Sequence, residues 1–421
     1  MNFLILTGLN FTGFNIRFNA KMHVDNLQFS SKMNSMTIFK RTIENDIDLY
    51  LKNDDMKILF IWGPRRSGKT TLIDKLAHSL GVTKYNFDLA SDRDKFAPRR
   101  EVLERIVREN KVVLIDEVQN YPEATVILKL LHDEFKVKVI ATGSSELRQK
   151  SSKDFDTMAG RFKEIYCLPL SIFEVFENTH PKPSEEGELE KKMAKKIQIF
   201  GAYPEIYARE DLSEKEKIDL LQGILDTYVL KDVIDIYDLR NQKLAKDILT
   251  KIALQLGSEV SIREIAVSLG ANASTVSSYI EIFIKNYILI PLGSFKTNIR
   301  KAVSENRKLY FYDLGIRNIL IQDFRELELR PDRGGVFENF IISEFEKKRR
   351  ISNSKVNMYF YREYGGKEVD IIVEDYKKQY IAVEVKARSG SLKKIFPLPS
   401  TFEAITNQNY FEKITSILEG K

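Results

Sequence analysis

The sequence predicts an α/β fold in which a doubly wound parallel sheet is followed by helical and mixed modules. Three observations carry this. From Ile58 to about Tyr166, short apolar runs alternate with helical stretches. The first of those runs leads directly into Gly63-Pro-Arg-Arg-Ser-Gly68-Lys69-Thr70, a glycine-framed loop that opens a helix. A chain of 421 residues is also long enough for roughly two to four domains, each with its own core.

The elements follow in order. Residues 57–63 (KILFIWG) read as a strand, and 69–81 (KTTLIDKLAHSLG) as a helix ending at Gly81. Residues 84–89 are a short strand, 100–110 an amphipathic helix, and 111–119 (KVVLIDEVQ) a strand. A helix at 123–135, a strand at 136–145 (KVKVIATGSS) and a last short strand at 162–170 complete the alternation. From Ser171 to about Tyr237 the pattern is helical, and 184–196 (SEEGELEKKMAKK) reads as a solvated helix with its loop. Lys243 to Ser294 is a compact helical set followed by the apolar run YILIPL. From about Arg333 the text becomes a helix and then three strands, at 356–363, 368–375 and 379–387. The expected divisions are 1–37, an N-terminal extension without order; 38–170, the sheet domain; 171–242, a helical lid; 243–325, a winged helix; and 326–421, a small α/β domain.

Composition narrows the class. With 43% hydrophobic and 30% charged residues the chain reads as soluble and globular. Its most apolar stretch, from Tyr279, is broken by Glu281 and Lys285, so no membrane span is expected. The net charge of +6 allows an acidic partner without demanding one. Cys167 is the only cysteine, which excludes disulfides and cysteine-based zinc sites within one chain and points to a reducing, cytoplasmic setting. His23, His78, His132 and His180 are scattered without metal-ligand spacing. The extension starts apolar but lacks a basic leader, so no signal peptide is expected, and Met33 or Met36 offers another start.

The loop at Gly63 fits G-x-x-x-x-G-K-[ST] at every position. Gly63, Pro64, Arg65, Arg66, Ser67 and Gly68 would wrap phosphates with backbone N–H groups, and the helix opening at Lys69, Thr70 and Thr71 would aim its positive end at them. Lys69 would reach the β- and γ-phosphates, and Thr70 would hold Mg²⁺. A glycine-rich turn with a basic residue is the plain alternative. Asp116 and Glu117 close the strand at 111–119. Asp116 is placed as the second magnesium ligand and Glu117 as the group that polarises the attacking water, which favours hydrolysis over passive binding. A helix cap is the alternative for Asp116. Thr142, Gly143, Ser144 and Ser145 end the next strand, where a polar group such as Ser144 would sense the γ-phosphate. Arg161, nineteen residues beyond Thr142, suits a finger on the transition-state charge in a neighbouring subunit, or an ordinary salt bridge.

Six blocks resemble one family in its own order: GPRRSGKTTL (63–72), VVLIDEVQN (112–120), VIATGSSE (139–146), AGRF with LPLSIFEV (159–175), GAYPEIY (201–207) and YVLKDV (228–233). They look like the AAA-type ATPases of archaea and bacteria with a C-terminal nuclease-like domain, over roughly residues 38–390. The resemblance implies an AAA+ fold, ATP with Mg²⁺, and a helical lid whose Gly201–Pro204 lies near the nucleotide.

Residues 261–290 have a helix-turn-helix shape. Ile262, Ile265, Ala266 and Leu269 form one stripe, Gly270 ends the helix, and Asn272 or Ser274 can cap the next. A wing follows, with Lys296, Arg300, Lys301, Arg307 and Lys308 as phosphate contacts if DNA is a partner. The candidate recognition surface, residues 271–278 (ANASTVSS), offers no Arg or Lys for base readout, and a scaffold role is the alternative. At the C-terminal end, Glu384 and Lys386 share a strand face beside Asp370. Two carboxylates and a lysine could hold a divalent metal and activate water. This D…ExK pattern resembles the PD-(D/E)xK nuclease fold, with Glu338 as its helix acid. The alternatives are a fold kept for binding or assembly, and a Glu363–Lys386 pair.

The expectation is therefore a Mg²⁺-dependent ATP hydrolase whose cycle switches DNA-binding, nuclease-like modules, with self-assembly open. Two other classes remain: a regulatory switch that holds protein partners, and an ATP-licensed, metal-dependent nuclease.

Overall fold

The computed structural model describes residues 38–144, 158–232, 241–296, 307–363, 366–386 and 395–419. The expected N-terminal extension, Ser145, Arg300 and Lys301 lie outside the described residues.

Five strands build the first sheet: β1 (Ile58–Trp62), β2 (Lys84–Asn86), β3 (Val112–Asp116), β4 (Lys138–Gly143) and β5 (Phe162–Tyr166), in the order β2-β3-β4-β1-β5. Every pairing in it is parallel. β1 and β3 are buried along their whole length, which is why they read as unbroken apolar runs. Alternate residues serve opposite faces. Leu59, Ile61, Leu114 and Ile140 pack with Leu72, Ile73 and Leu76 of helix Lys69–Leu80 and with Ile43, Ile47 and Tyr50 of helix Ile43–Lys52. Phe60, Trp62, Val113, Ile115 and Val139 pack on the other side with Leu103, Ile106, Leu128 and Leu131. Because the strands are parallel, their C-terminal ends share one edge, and the phosphate loop, Asp116 and Ser144 all leave from it.

A helical region follows. Helix Ile172–Thr179 starts with a full capping box from Ser171 and Glu174. Helix Glu186–Phe200 is not the wholly solvated helix its charges suggest. Met193, Ala194, Ile197, Ile199 and Phe200 are buried, so its C-terminal half is core. Helices Glu214–Ile224, Gln242–Ala253, Ile262–Leu269 and Ala273–Lys285 build a second core around Ile248, Ile252, Ile280 and Phe283. Gly270 ends helix Ile262–Leu269 in the left-handed conformation. Asn272 stands at the next N-cap, but its side chain makes no capping bond.

The second sheet has six strands: β6 (Leu289–Ser294), β7 (Arg307–Phe311), β8 (Asn357–Arg362), β9 (Glu368–Glu374), β10 (Tyr380–Val385) and β11 (Ser400–Ile405). Their order is β11-β10-β9-β8-β6-β7, with β6∥β8 and β10∥β11 and the rest antiparallel. The β6–β7 hairpin thus shares one sheet with the C-terminal strands, through Gly293 opposite Tyr359 and Ser294 opposite Phe360. The sheet runs across the division expected at residue 325.

Helix Arg333–Ile351 ties the halves together. Glu344, fully buried, accepts a hydrogen bond from the Ile172 N–H at 2.8 Å and so caps helix Ile172–Thr179 from outside. Lys347 donates to Glu344 at 2.9 Å and to the Leu170 carbonyl at 3.1 Å. No helix among the described residues is long and apolar enough to cross a membrane.

Candidate nucleotide site

The phosphate loop leaves β1 at Gly63 and enters helix Lys69–Leu80 at Gly68. Gly68 sits at φ +99°, which favours glycine, and a Cβ on Gly63 would come within 1.9 Å of the Cys167 carbonyl oxygen. The Lys69 ammonium is buried and donates to the Gly63 and Pro64 carbonyl oxygens, both at 2.8 Å. Burial lowers its pKa, while Glu117 and Asp116 favour its charged form. Ser67 is fully buried, and its hydroxyl has no hydrogen-bond partner among the described residues. Thr70 and Thr71 lie exposed on the first turn of the helix. A buried ammonium, an unsatisfied hydroxyl and open threonines at a helix N-terminus fit a phosphate chain with its magnesium ion.

The carboxylates lie at the end of β3. Asp116 is 1% exposed and accepts a hydrogen bond from the Thr142 hydroxyl. It is a strand terminus and not a helix cap. Glu117 adopts φ 54° and ψ 48°, a left-handed backbone that is strained for a non-glycine residue. Its N–H donates to Thr142 Oγ1 at 3.2 Å. Its carboxylate accepts from the Gln119 amide at 2.5 Å and from Ser144 Oγ at 3.2 Å. The same Gln119 amide donates to Ser144 Oγ at 2.9 Å, and the Ser144 N–H donates to Gln119 Oε1 at 3.3 Å. Glu117, Gln119, Thr142 and Ser144 therefore form one network across the ends of β3 and β4.

Two residues of this site escaped the sequence reading. One is Gln119, whose signal was only its place two residues past Glu117. The other is Arg41, just ahead of helix Ile43–Lys52. Its guanidinium, 5% exposed, donates to the Ser67 and Leu168 carbonyls at 2.6 Å each, to Cys167 Sγ at 3.2 Å and to Glu174 at 2.9 Å. It pins the phosphate loop to the strand and helix behind it.

Arg161 does not join the site within one chain. It stands just before β5, and its carbonyl accepts from the Ile58 N–H at 2.8 Å, at the start of β1. The phosphate loop leaves the far end of β1, about 16 Å away by strand length. Arg161 pairs with Asp133 at 2.8 Å and holds that carboxyl down to about 2.

The loop at Gly201–Pro204 lies against the phosphate loop. Arg66 pairs with Glu205 at 2.8 Å, and a Cβ on Gly68 would lie 3.9 Å from Pro204. Behind Pro204, the Ala202 N–H donates to Asp313 at 2.6 Å, and Asp313 caps helix Leu314–Ile321. A Cβ on Gly201, at φ +78°, would fall within 2.0 Å of Asp313.

The C-terminal residues group differently from the metal centre expected. The Val385 N–H donates to Asp370 at 2.7 Å, and Glu384 pairs with Lys386 at 2.6 Å. Glu338 accepts from Lys308 at 3.3 Å and from the Tyr310 hydroxyl at 2.5 Å. Lys308 also pairs with Glu368. Burial and Glu338 push Asp370 up to about 7. Among the described residues, no three His, Cys, Asp or Glu side chains gather as a metal-holding group. Lys308, expected on a solvated wing, is 1% exposed because it neutralises these acids, and Arg307 pairs with Glu281 at 2.7 Å. Neither side chain reaches out as an open phosphate contact. Asn272, Ser274 and Ser278 are exposed on helix Ala273–Lys285 and its cap.

Comparison with known proteins agrees with this order. Residues 55–176 match the family described as an AAA domain. Residues 191–327 and 333–407 match two domains of unknown function, DUF8612 and DUF4143. An uncharacterized protein of Methanocaldococcus jannaschii is 26% identical over 93% of this chain and 90% of its own length. A second from the same organism is 25% identical over 66% of this chain and 65% of its own length. One from Haemophilus influenzae is 23% identical over 62% and 68%. Among solved structures, the RuvB Holliday junction branch migration motor of Thermotoga maritima aligns over 60% of this chain and 89% of its own, at 17% identity and a TM-score of 0.30. The Orc1 protein of Aeropyrum pernix, solved with DNA, aligns over 63% and 87% at 16% identity and a TM-score of 0.27. These two scores carry no functional argument. In chain order, the protein matches an AAA domain followed by two domains of unknown function.

Proposed function

We propose that this chain hydrolyses ATP with Mg²⁺ and passes its nucleotide state to a C-terminal half that binds nucleic acid without cutting it. The observation that carries the first part is the Glu117 carboxylate, held by Gln119 and Ser144 on the same sheet edge as the buried Lys69. Thr70 and Asp116 would hold the magnesium ion, which when bound offsets phosphate charge. Lys69 swings from the Gly63 and Pro64 carbonyls to the β- and γ-phosphates. Glu117 orients water for in-line attack on the γ-phosphorus and takes its proton, while the bond from the γ-phosphorus to the β,γ-bridging oxygen breaks and ADP leaves. Thr142 and Ser144, bonded to Asp116 and Glu117, report the γ-phosphate to that pair. Arg161 of a second copy supplies transition-state charge.

Support for coupling comes from the contact of Arg66 with Glu205 and of Ala202 with Asp313. Any closing of the lid loop on phosphate pulls on helix Leu314–Ile321. Support for binding without cleavage comes from Lys308, an internal cation already set among Glu338 and Glu368. The helix-turn-helix of Ile262–Leu269 and Ala273–Lys285, with the antiparallel β6–β7 pair after it, supports a nucleic-acid partner, although its exposed helix face carries small hydroxyls, which suits sequence-tolerant contact.

The test is ATP turnover by the purified chain with and without DNA, with Glu117→Gln as the blank. Turnover that DNA raises and the blank lacks is the expected result. Turnover indifferent to DNA and RNA would replace the nucleic-acid partner with a protein one. DNA cleavage that Lys386→Ala abolishes, with ATP turnover spared, would restore the nuclease reading.

A further inference from the structure

Beyond their pairing at Gly293–Tyr359 and Ser294–Phe360, β6 and β8 part, and a cavity of about 230 Å³ lies between Leu289–Leu292 and Asn357–Tyr359. It is smaller than the pockets of about 300–1,000 Å³ that take drug-sized molecules, so it suits a small ion. The last turns of helix Arg333–Ile351 close one side with Glu346, Arg349 and Arg350. Glu346 is the only acid lining it among the described residues. That carboxylate, 5% exposed, serves both guanidiniums. Arg349 grips it twice, at 2.8 and 2.9 Å, and Arg350 Nε donates to it at 2.5 Å. One carboxylate against two cations leaves a positive charge. The rings of Tyr166 and Tyr287 lie 4.9 and 5.7 Å from the Arg350 guanidinium carbon and fix its plane. Among the described residues, nothing accepts a hydrogen bond from Arg350 Nη1 or Nη2, and the side chain is 29% exposed where it lines the cavity. The strands supply acceptors. In the β6–β7 ladder the Ile288 carbonyl accepts from the Tyr312 N–H at 3.1 Å. Backbone groups alternate sides along an antiparallel strand, so Leu289 and Pro291 turn their carbonyls away from β7 and toward β8. Both residues line the cavity, β8 pairs with neither, and Pro291 brings no N–H.

We propose that this cavity binds inorganic phosphate in a protonated form. Its charged oxygens accept from the open fork of Arg350, and its P–OH donates to the carbonyl of Leu289 or Pro291. Donors on one wall and acceptors on the other set the choice of ion. Inorganic phosphate keeps a proton to give at neutral pH. Sulfate and carboxylates have none, and a phosphate monoester, with a second pKa of about 6, has mostly lost its own. Phosphate is also what the proposed hydrolysis releases, but the site is built from its own groups and does not need that reading. Tyr166 ends β5, so the cation that would hold the ion already rests on the first sheet.

The test is titration calorimetry of the full chain with inorganic phosphate, sulfate and glycerol 3-phosphate, at about pH 7. Lys69→Ala is titrated beside the parent, so that phosphate held by the loop at Gly63 is told apart. Phosphate is expected to bind both proteins, and the other two anions to bind Lys69→Ala about tenfold or more weakly than phosphate does. Two variants in the Lys69→Ala chain address the cavity itself. Arg350→Met removes the open donors, and Met358→Glu keeps both arginines while adding a tethered carboxylate to the lining. Each should weaken phosphate about tenfold or more. Met358→Glu in the parent should leave ATP turnover unchanged. Phosphate binding that Lys69→Ala abolishes, that Met358→Glu leaves intact, or that sulfate or glycerol 3-phosphate matches would overturn the proposal, as would no binding at all. If phosphate binds Lys69→Ala as expected while no turnover depends on Glu117, the cavity stands and the ATPase reading fails.

Discussion

Arg41→Ala should damage both the stability of the chain and its hold on nucleotide, by amounts the contacts set. The guanidinium is 5% exposed, and its partner Glu174 is fully buried. Removing one member of a buried pair costs about 3–5 kcal/mol, because the other charge is left without compensation. Glu174 would keep donors at the Thr42 N–H (3.0 Å) and the Ser171 N–H (3.1 Å), so the low end applies, about 3 kcal/mol. For a domain of this size that lowers Tm by about 6–12 °C. The Ser67 carbonyl also loses its 2.6 Å tie, which frees the loop that must meet phosphate. A lost hydrogen bond to a charged group is worth about 1.5–3 kcal/mol, so ATP affinity should fall at least about tenfold. Arg41→Lys keeps the charge but cannot reach every partner, and should fall between the two. Thermal melts without nucleotide, and titration with a non-hydrolysable ATP analogue, measure both effects. An Arg41→Ala protein that melts within about 2 °C of the parent and binds the analogue equally well would refute the reasoning.

Three further outcomes are expected. Gln119→Ala removes the amide that links Glu117 to Ser144, and should lower kcat for ATP about ten- to a hundredfold while leaving KM within about twofold; steady-state kinetics read the split. Gly201→Ala drives a Cβ to 2.0 Å from Asp313 at a φ of +78°, and should cost about 2–3 kcal/mol in a thermal or urea melt. Asp370 has its pKa raised from 3.8 to about 7. Below about pH 4 it is protonated in both folded and unfolded chains and has no effect. As pH climbs from 4 to 7 the unfolded chain ionises first, so the fold loses stability, on the order of 4 kcal/mol by pH 8. Asp370→Asn should therefore melt above the parent at pH 8 and level with it near pH 4, and equal melts at both would contradict the assignment.

The candidate nucleotide site was largely legible because its parts are local. A strand, a glycine-framed loop and a helix follow one another within 58–80, and Asp116 and Glu117 end their own apolar run. Arg41 was not legible, since its partners at Ser67, Cys167, Leu168 and Glu174 lie 26 to 133 residues away. Lys308 misled for a related reason. In the text it belongs to a basic stretch, and only the fold shows Glu338 and Glu368 arriving to bury it. The charges of residues 184–196 likewise hid the apolar half-turns that make that helix part of the core. Most strands were readable from composition, but β11 (Ser400–Ile405) was not among them. The pairing of β6 with β8 was not, because nothing local encodes a neighbour so far along the chain.

That pairing has a consequence for the order in which the chain is made. β6 ends at Ser294 and β8 begins at Asn357, so roughly 60 residues must be added before the second side of β6 finds its partner. At about 5–20 residues per second, β6 leaves the ribosome and waits some 3–12 seconds with that edge bare. A bare edge is a template for any passing strand, including that of a sister chain on the same message. Slow codons would be tolerable before Leu289 or after Glu374 and hazardous between them, so the timing of translation across this interval is itself a folding parameter of the protein.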